Sequence, residues 1–316
     1  MNLIICYTPL QVKIAESIVK KYSGEKFLGV FLGSEKNDKI NFYFDKMSSF
    51  CERTIYIDIS VETNKLGYLF SLINFPKNYL PISFFEKVFF ANVNSLWIQK
   101  ILSNIIFEEL YTFDDGLGNV IKNPPILVEK WLVRKIISCV IRNSYSVKKL
   151  LEINKKHFTI YPKYKNIISN VETLNIFSDR NLSDLPSVPK DEISILIGQP
   201  IFSDEDRNVS LINKVFSVFN IDYYYYPHPR ECYHVSNIRY IYSKMIFEDY
   251  ISELLLYKSK IIVYTFFSSV ALNIANFDGV EVRIIKLSVS ESCDDINNAY
   301  RLFEELGIDT YSEIEI

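Results

Sequence analysis

The sequence predicts an α/β protein made of two doubly wound domains with a cleft between them. Short β-like runs alternate with amphipathic segments of helical length, once in the first half and again after residue 190. Such alternation builds mostly parallel sheets covered by helices. The 316 residues also exceed one minimal domain, at roughly 150 residues each. Between the two runs lies Ser183-Asp184-Leu185-Pro186-Ser187-Val188-Pro189-Lys190. Its prolines and serines suit a linker and divide residues 1–185 from residues 186–316.

The elements follow in order. Leu3 to Cys6 is a buried first strand, too short and too lightly flanked by basic residues for a secretory leader. Pro9 suits a first helical turn, and Val12, Ala15, Ile18 and Val19 then share one face. Strands are expected at Phe27–Leu32, Thr54–Ile59, Lys87–Phe90 and Glu109–Phe113, and helices over Asn37–Ser49, Thr63–Asn74, Leu96–Ile106 and Trp131–Ile141. Pro124-Pro125 breaks the chain, and the polar region from Asn154 to Asp191 reads as irregular. The second run has strands at Ile193–Ile197, Ile221–Tyr226, Lys260–Tyr264 and Val280–Leu287. Its helices are Val209–Phe219, Phe247–Tyr257, a segment ending at Ala275, and a closing helix over Asp294–Leu306.

Composition narrows the function. A hydrophobic fraction of 48% fills a sizeable core and excludes global disorder. Thirty-five basic residues against 38 acidic ones leave a net charge of −3, so no basic field exists to hold nucleic acid. Only nine glycines are present, and the first strand opens into Tyr7-Thr8-Pro9-Leu10 without GxGxxG, which argues against a dinucleotide oxidoreductase. Cys6, Cys51, Cys139, Cys232 and Cys293 are scattered, odd in number and form no CxxC. Free thiols in a reducing, cytoplasmic compartment are expected, with no zinc site. The longest uncharged stretch, Ile261 to Phe277, falls short of the roughly 20 residues a spanning helix needs. A surface rich in Lys, Tyr and Phe still allows peripheral contact with a membrane, and the 15% aromatic content leaves room for a homodimer interface.

In doubly wound sheets, ligands bind beyond the carboxyl ends of the strands, and three motifs sit there. Phe113-Asp114-Asp115-Gly116 closes a strand. It reads as a solvated Asp-Gly turn or a functional carboxylate pair, and it lacks the D-x-D spacing of metal-dependent nucleotide-sugar enzymes. Tyr226-Pro227-His228-Pro229-Arg230-Glu231 pins a histidine between prolines, either as a rigid turn or as a general acid or phosphate ligand. His157 and His234 lack that setting and read as ordinary polar residues. Tyr264-Thr265-Phe266-Phe267-Ser268-Ser269 runs from a strand into a helix start. Its serines either cap the helix or help bind an anion there. Gly198-Gln199-Pro200 ends another strand, with Ser203, Asp204, Glu205 and Asp206 just beyond.

Taken with Ile5-Cys6-Tyr7-Thr8-Pro9-Leu10-Gln11 and Phe247-Glu248-Asp249-Tyr250, these motifs resemble the bacterial lipooligosaccharide and capsular sialyltransferases of glycosyltransferase family 52. The resemblance runs from the first strand to the last. It implies a GT-B fold, with two Rossmann-like domains facing across a cleft. Residues 1–185 would form the acceptor side, and residues 186–316 would bind the CMP-sugar donor. It implies CMP-sialic acid as donor and a galactose-terminated surface glycan as acceptor. The reaction would be inverting and metal-independent.

By that resemblance His228 meets the departing phosphate of CMP, and Ser268 and Ser269 bind it. Glu248 holds the ribose hydroxyls. Gly198, Gln199 and Pro200 line the cytidine pocket, and Pro229 and Arg230, in the histidine motif, also belong to the donor site. Thr8 and Gln11 face the substrates from the first domain. The general base is Asp206, which lies 22 residues before His228, or else Asp115. A GT-B enzyme with another nucleotide-sugar donor and a non-catalytic nucleotide-binding protein are the competing readings.

Overall fold

Runs of β-branched and aromatic residues form the strands of this protein, and polar turns return the chain through helices. The computed structural model describes residues 1–34, 37–59, 65–75, 80–116, 131–162, 166, 168–176, 191–219, 221, 224–275, 277–288, 300–301, 303–305, 307–308 and 310–315. The chain is α/β and divides into two compact units, Met1–Ser178 and Asp179–Ile316. The boundary expected between residues 185 and 186 lies outside the described residues, as do the linker candidate and Pro124-Pro125.

The first unit runs β1 (Asn2–Cys6), α1 (Pro9–Lys21), β2 (Phe27–Gly33), α2 (Asp38–Phe50), β3 (Arg53–Asp58), α3 (Lys65–Ile73) and β4 (Phe84–Phe90). It continues with α4 (Leu96–Leu102), β5 (Ile106–Phe113), α5 (Trp131–Val140), α6 (Val147–Ile153), β6 (Asn154–Thr159) and β7 (Val171–Thr173). The strands pair in parallel in the order β3-β2-β1-β4-β5-β6-β7. β1 is buried along its whole length, as expected of a strand covered on both faces.

Two expectations are corrected here. The helix expected from Leu96 to Ile106 stops at Leu102. The Ser103 hydroxyl donates to the Gln99 carbonyl at 2.7 Å, and Ile106 begins β5 instead. The region expected to be irregular after Asn154 supplies β6 and β7. Only the last three residues of β6 are buried, and Lys156 pairs with Glu172 of β7 at 2.6 Å. Short or polar strands such as β6, and β7 at the sheet edge, carry too little apolar periodicity to be read from sequence.

The second unit runs β8 (Glu192–Ile197), α7 (Glu205–Phe219), β9 (Tyr224–Tyr226), β10 (Arg239–Tyr240), α8 (Phe247–Leu254), β11 (Lys260–Thr265), α9 (Val270–Ile274), β12 (Val280–Ser288) and β13 (Thr310–Glu315). Its parallel order is β10-β9-β8-β11-β12-β13. Successive side chains of a strand point to opposite faces, and β8 shows it. Ile193, Ile195 and Ile197 pack with Phe247 and Ile251 of α8, whereas Leu196 packs with Leu211, Ile212 and Val215 of α7. Helices therefore cover both faces of this sheet. Of the helix expected over Asp294–Leu306, residues 300–301 and 303–305 are helical and the rest lie outside the described residues; it does not close the chain, which goes on into β13 beside β12. Among the described residues no helix is long and apolar enough to cross a membrane.

Candidate active site

In the first unit the strand order reverses between β1 and β4, which opens a crevice at their carboxyl ends. Thr8 follows β1 and caps α1, its hydroxyl accepting from the Gln11 N–H at 3.3 Å. That turn directs the Gln11 side chain inward, to 1% exposure. Its Oε1 accepts the Tyr7 N–H at 2.6 Å, and its Nε2 donates to Asp115 Oδ1 at 2.6 Å. Asn92, just past β4, donates from Nδ2 to Asp115 Oδ2 at 3.0 Å. The Tyr7 hydroxyl hydrogen-bonds Ser95 Oγ, the N-cap of α4. Asp115 is thus held by one amide on each oxygen. Burial nevertheless dominates and raises its pKa above the ordinary carboxylate value.

Asp114 faces the other way and is fully buried. Its Oδ1 lies 2.9 Å from His157 Nε2, and its Oδ2 accepts from the Thr159 hydroxyl at 2.8 Å and the Ile160 N–H at 2.7 Å. His157 Nδ1 meets the Thr112 hydroxyl at 2.8 Å. The expectation of an ordinary polar His157 is therefore corrected: the ring is buried and ties β6 to β5. The solvated-turn reading of the Asp-Asp pair is corrected with it. One carboxylate braces the strand ends, and the other stands in the crevice.

In the second unit the order reverses between β8 and β11. Gln199, past β8, accepts the Phe267 N–H at 3.3 Å through Oε1, which joins Gly198-Gln199-Pro200 to the loop carrying the serines. Ser268 Oγ accepts from the Val270 N–H at 3.4 Å, while Ser269 makes no side-chain cap bond and is exposed. The helix they start, α9, has only five residues. Glu248, in the first turn of α8, is 4% exposed, and its Oε1 accepts from Asn273 Nδ2 at 2.6 Å.

His228 follows β9 and is half-buried, with Pro229 and Arg230 exposed beyond it. The Arg230 N–H lies 3.1 Å from His228 Nδ1. A backbone N–H can only donate, so Nδ1 accepts and the neutral ring carries its proton on Nε2. Glu231 Oε1 accepts the His228 N–H and the Tyr225 hydroxyl, each at 2.8 Å. At Gly198 a Cβ would stand 2.0 Å from that oxygen and 2.4 Å from the Tyr225 hydroxyl, so any larger residue would displace the Glu231 carboxyl or the Tyr225 ring.

Asp206 occupies an exposed position in the first turn of α7. Asp204 Oδ1 accepts the Asp206 and Arg207 N–H groups at 2.9 and 3.3 Å, so Asp204 acts as the cap. Buried Asn208 holds this acidic loop. Its Oδ1 takes the N–H groups of Ile201 and Phe202 at 2.9 and 3.0 Å, and its Nδ2 donates to the carbonyls of Phe202 and Asp204 at 2.8 and 2.9 Å. Among the described residues no group of three or more His, Cys, Asp or Glu could hold a metal ion. Cys6, Cys51, Cys139 and Cys232 are free thiols, and Cys293 lies outside the described residues.

Residues 24–289 match the family described as glycosyltransferase family 52. The chain belongs to that family. Among its relatives in glycosyltransferase family 52 is the N-acetyllactosaminide alpha-2,3-sialyltransferase of Haemophilus influenzae. It is 40% identical over 99% of this chain and 100% of its own length. The CMP-N-acetylneuraminate:beta-galactoside alpha-2,3-sialyltransferase of Pasteurella multocida is 38% identical over 98% of each chain. A solved glycotransferase of kitacinnamycin aligns with 100% of this chain and 85% of its own at a TM-score of 0.51 and 8% identity. At that identity only the fold is shared, a GT-B-like α/β architecture with two sheet-containing lobes.

Of the residues singled out in this glycosyltransferase, the fold gathers Thr8, Gln11 and Asp115 at one sheet end of the first unit. At the switch point of the second unit it joins Gly198 to the His228 turn and Gln199 to the serine loop. Asn92, Ser95, Asn208 and Asn273 escaped sequence reading. Each is a single uncharged polar residue; the partners of Asn92, Ser95 and Asn273 lie far along the chain and those of Asn208 in the loop just before it, and only Asn92, just past an apolar strand, carried a positional hint.

Proposed function

We propose that this glycosyltransferase is an inverting, metal-independent sialyltransferase. It moves sialic acid from CMP-sialic acid to a terminal galactose-type hydroxyl of a capsular or lipooligosaccharide glycan. The carrying observation is the end-to-end 40% identity to the Haemophilus enzyme. The name of that enzyme, and that of the 38% identical Pasteurella enzyme, also supports an α-2,3 linkage. The geometry of His228 fits the chemistry.

In this reading the acceptor oxygen attacks the anomeric carbon, and the bond from that carbon to the CMP phosphate oxygen breaks. Asp206 takes the hydroxyl proton, with Asp115 as the alternative base. His228 offers its Nε2–H to the departing phosphate, whose charge is also met by Ser268 and Ser269. Glu248, oriented by Asn273, holds the ribose. Gly198, Gln199 and Pro200 flank the cytosine, with Pro229 and Arg230 near the phosphate. Thr8 and Gln11 act from the first unit, which takes the acceptor, and the second unit binds the donor. A cytoplasmic location with peripheral membrane contact, and a homodimer, complete the proposal.

The deciding experiment incubates the protein with CMP-sialic acid and a panel of galactosides, followed by linkage determination of the product by NMR. A sialylated galactoside supports the proposal. Transfer from a different nucleotide sugar, with none from CMP-sialic acid, overturns it.

A further inference from the structure

We infer that Glu231 is a positioning residue of the transfer reaction: its carboxyl group, seated in the space that Gly198 leaves, holds the His228 backbone and so aims the imidazole. This rests on the reading of His228 as the group that meets the departing phosphate.

The first observation is the convergence on one oxygen. Glu231 Oε1 takes both the His228 N–H and the Tyr225 hydroxyl at 2.8 Å. Tyr225 belongs to β9 and is fully buried, so the histidine turn is anchored to the sheet rather than to another loop. The turn is then closed on itself. The Glu231 N–H returns to the His228 carbonyl at 3.0 Å, and the Arg230 N–H reaches the ring Nδ1 at 3.1 Å. Backbone position and tautomer are set together, and both decide where Nε2–H points.

The second observation is the room made for the carboxyl. At Gly198, the residue after β8, a Cβ would lie 2.0 Å from Glu231 Oε1. The absence of that side chain lets the carboxyl lie against Gly198 and reach the Tyr225 hydroxyl. The third observation is the cost. Glu231 Oε2 is buried and has no hydrogen-bond partner among the described residues. An unmet buried oxygen is destabilising, so the contacts of Oε1 must offset it. Burial also raises the Glu231 pKa, against the pull of its two donors.

The test compares Glu231→Ala, Glu231→Gln, His228→Ala and the double variant Glu231→Ala/His228→Ala, with CMP-sialic acid and a galactoside. Misplacing a catalytic group by about 1 Å costs about 10²-fold in rate. Glu231→Ala is expected to lose kcat on that scale, with CMP affinity by calorimetry nearly unchanged. Glu231→Gln keeps an acceptor oxygen for both donors and is expected to recover most of the rate. If Glu231 acts through His228, the double variant is no slower than His228→Ala. Normal turnover in Glu231→Ala, or losses that multiply in the double variant, overturn the inference.

A readout without turnover separates this inference from the assigned reaction. Imidazole ¹⁵N shifts of His228 should report the Nε2–H tautomer in the native protein and a mixture in Glu231→Ala. Unchanged shifts overturn the positioning role whatever the donor proves to be. A normal rate in His228→Ala overturns the reading of His228 and the inference with it. Should Glu231→Ala fail to fold, Glu231→Gln carries the test, and a loss as large as that of His228→Ala then counts against positioning.

Discussion

His157 Nε2 lies 2.9 Å from Asp114 Oδ1, and neither side chain has any solvent-accessible surface. Two further donors, from Thr159 and Ile160, converge on the same carboxylate. The bonds pin the end of β5, and with it Asp115, to β6. Asp114→Ala strands these donors in the interior, at about 1–3 kcal/mol for each buried group left unmet. The melting temperature is expected to fall by several degrees, since about 1 kcal/mol corresponds to about 2–4 °C in a chain of this size class. Differential scanning calorimetry measures it, and an unchanged melting temperature would refute the brace.

Asp115 makes stability pH-dependent in a defined direction. Burial raises its pKa, while the amides of Gln11 and Asn92 lower it by a smaller amount. A carboxyl whose pKa is raised on folding binds its proton more tightly in the folded state. The resulting stabilisation is complete below the unfolded value of about 3.9 and is lost as pH rises through the raised folded value. The stability of the native protein relative to Asp115→Asn should therefore be greatest in acid and decline towards neutral pH. In Gln11→Ala, with one lowering hydrogen bond gone, the decline should move to higher pH. Urea unfolding over a pH series reads both, and a difference that grows with pH would contradict the assignment.

Asp206→Asn and Asp115→Asn rank the two candidate bases. Removing the base should cut transfer about 10²–10⁴-fold while CMP affinity and the melting temperature stay close to native. The exposed position of Asp206 makes its substitution structurally mild, so its kinetics are readily interpreted. A raised acceptor KM with modest loss of kcat is expected for Asp115→Asn, because Gln11 and Asn92 hold that carboxylate in the crevice. If Asp206→Asn keeps most of its activity and Asp115→Asn abolishes it, the base belongs to the first unit.

Transfer should persist in excess EDTA, because the proposed leaving-group stabilisation uses His228, Ser268 and Ser269. Initial rates with and without chelator decide the matter. Activity lost in EDTA and restored by Mg²⁺ or Mn²⁺ would replace the metal-free scheme.

Much of the frame was legible in the residue order. The apolar run of β8, buried on both faces, and the helical face of α1 are local properties, written in apolar spacing that needs no partner to be read. Strand-end motifs were legible for the same reason: Gly198-Gln199-Pro200, the proline-flanked His228 and the paired serines each interrupt an apolar run. The edge strands β7, β10 and β13 were missed. Such strands are short or polar and are held by pairing with neighbours already in place.

The sequence by itself determined that the chain alternates strands and helices, that its strand ends carry carboxylates, a pinned histidine and serines, and that these motifs resemble glycosyltransferase family 52. Only the tertiary structure decided how adjacent residues divide their work. Asp114 turns inward to His157 while Asp115 meets Gln11, 104 residues away in the chain. It also decided that the Glu231 carboxyl occupies the space Gly198 leaves. Local spacing follows from periodicity along the chain. Burial and hydrogen-bond partnership are set by side chains brought together from distant strands, and they exist only once the sheets have formed.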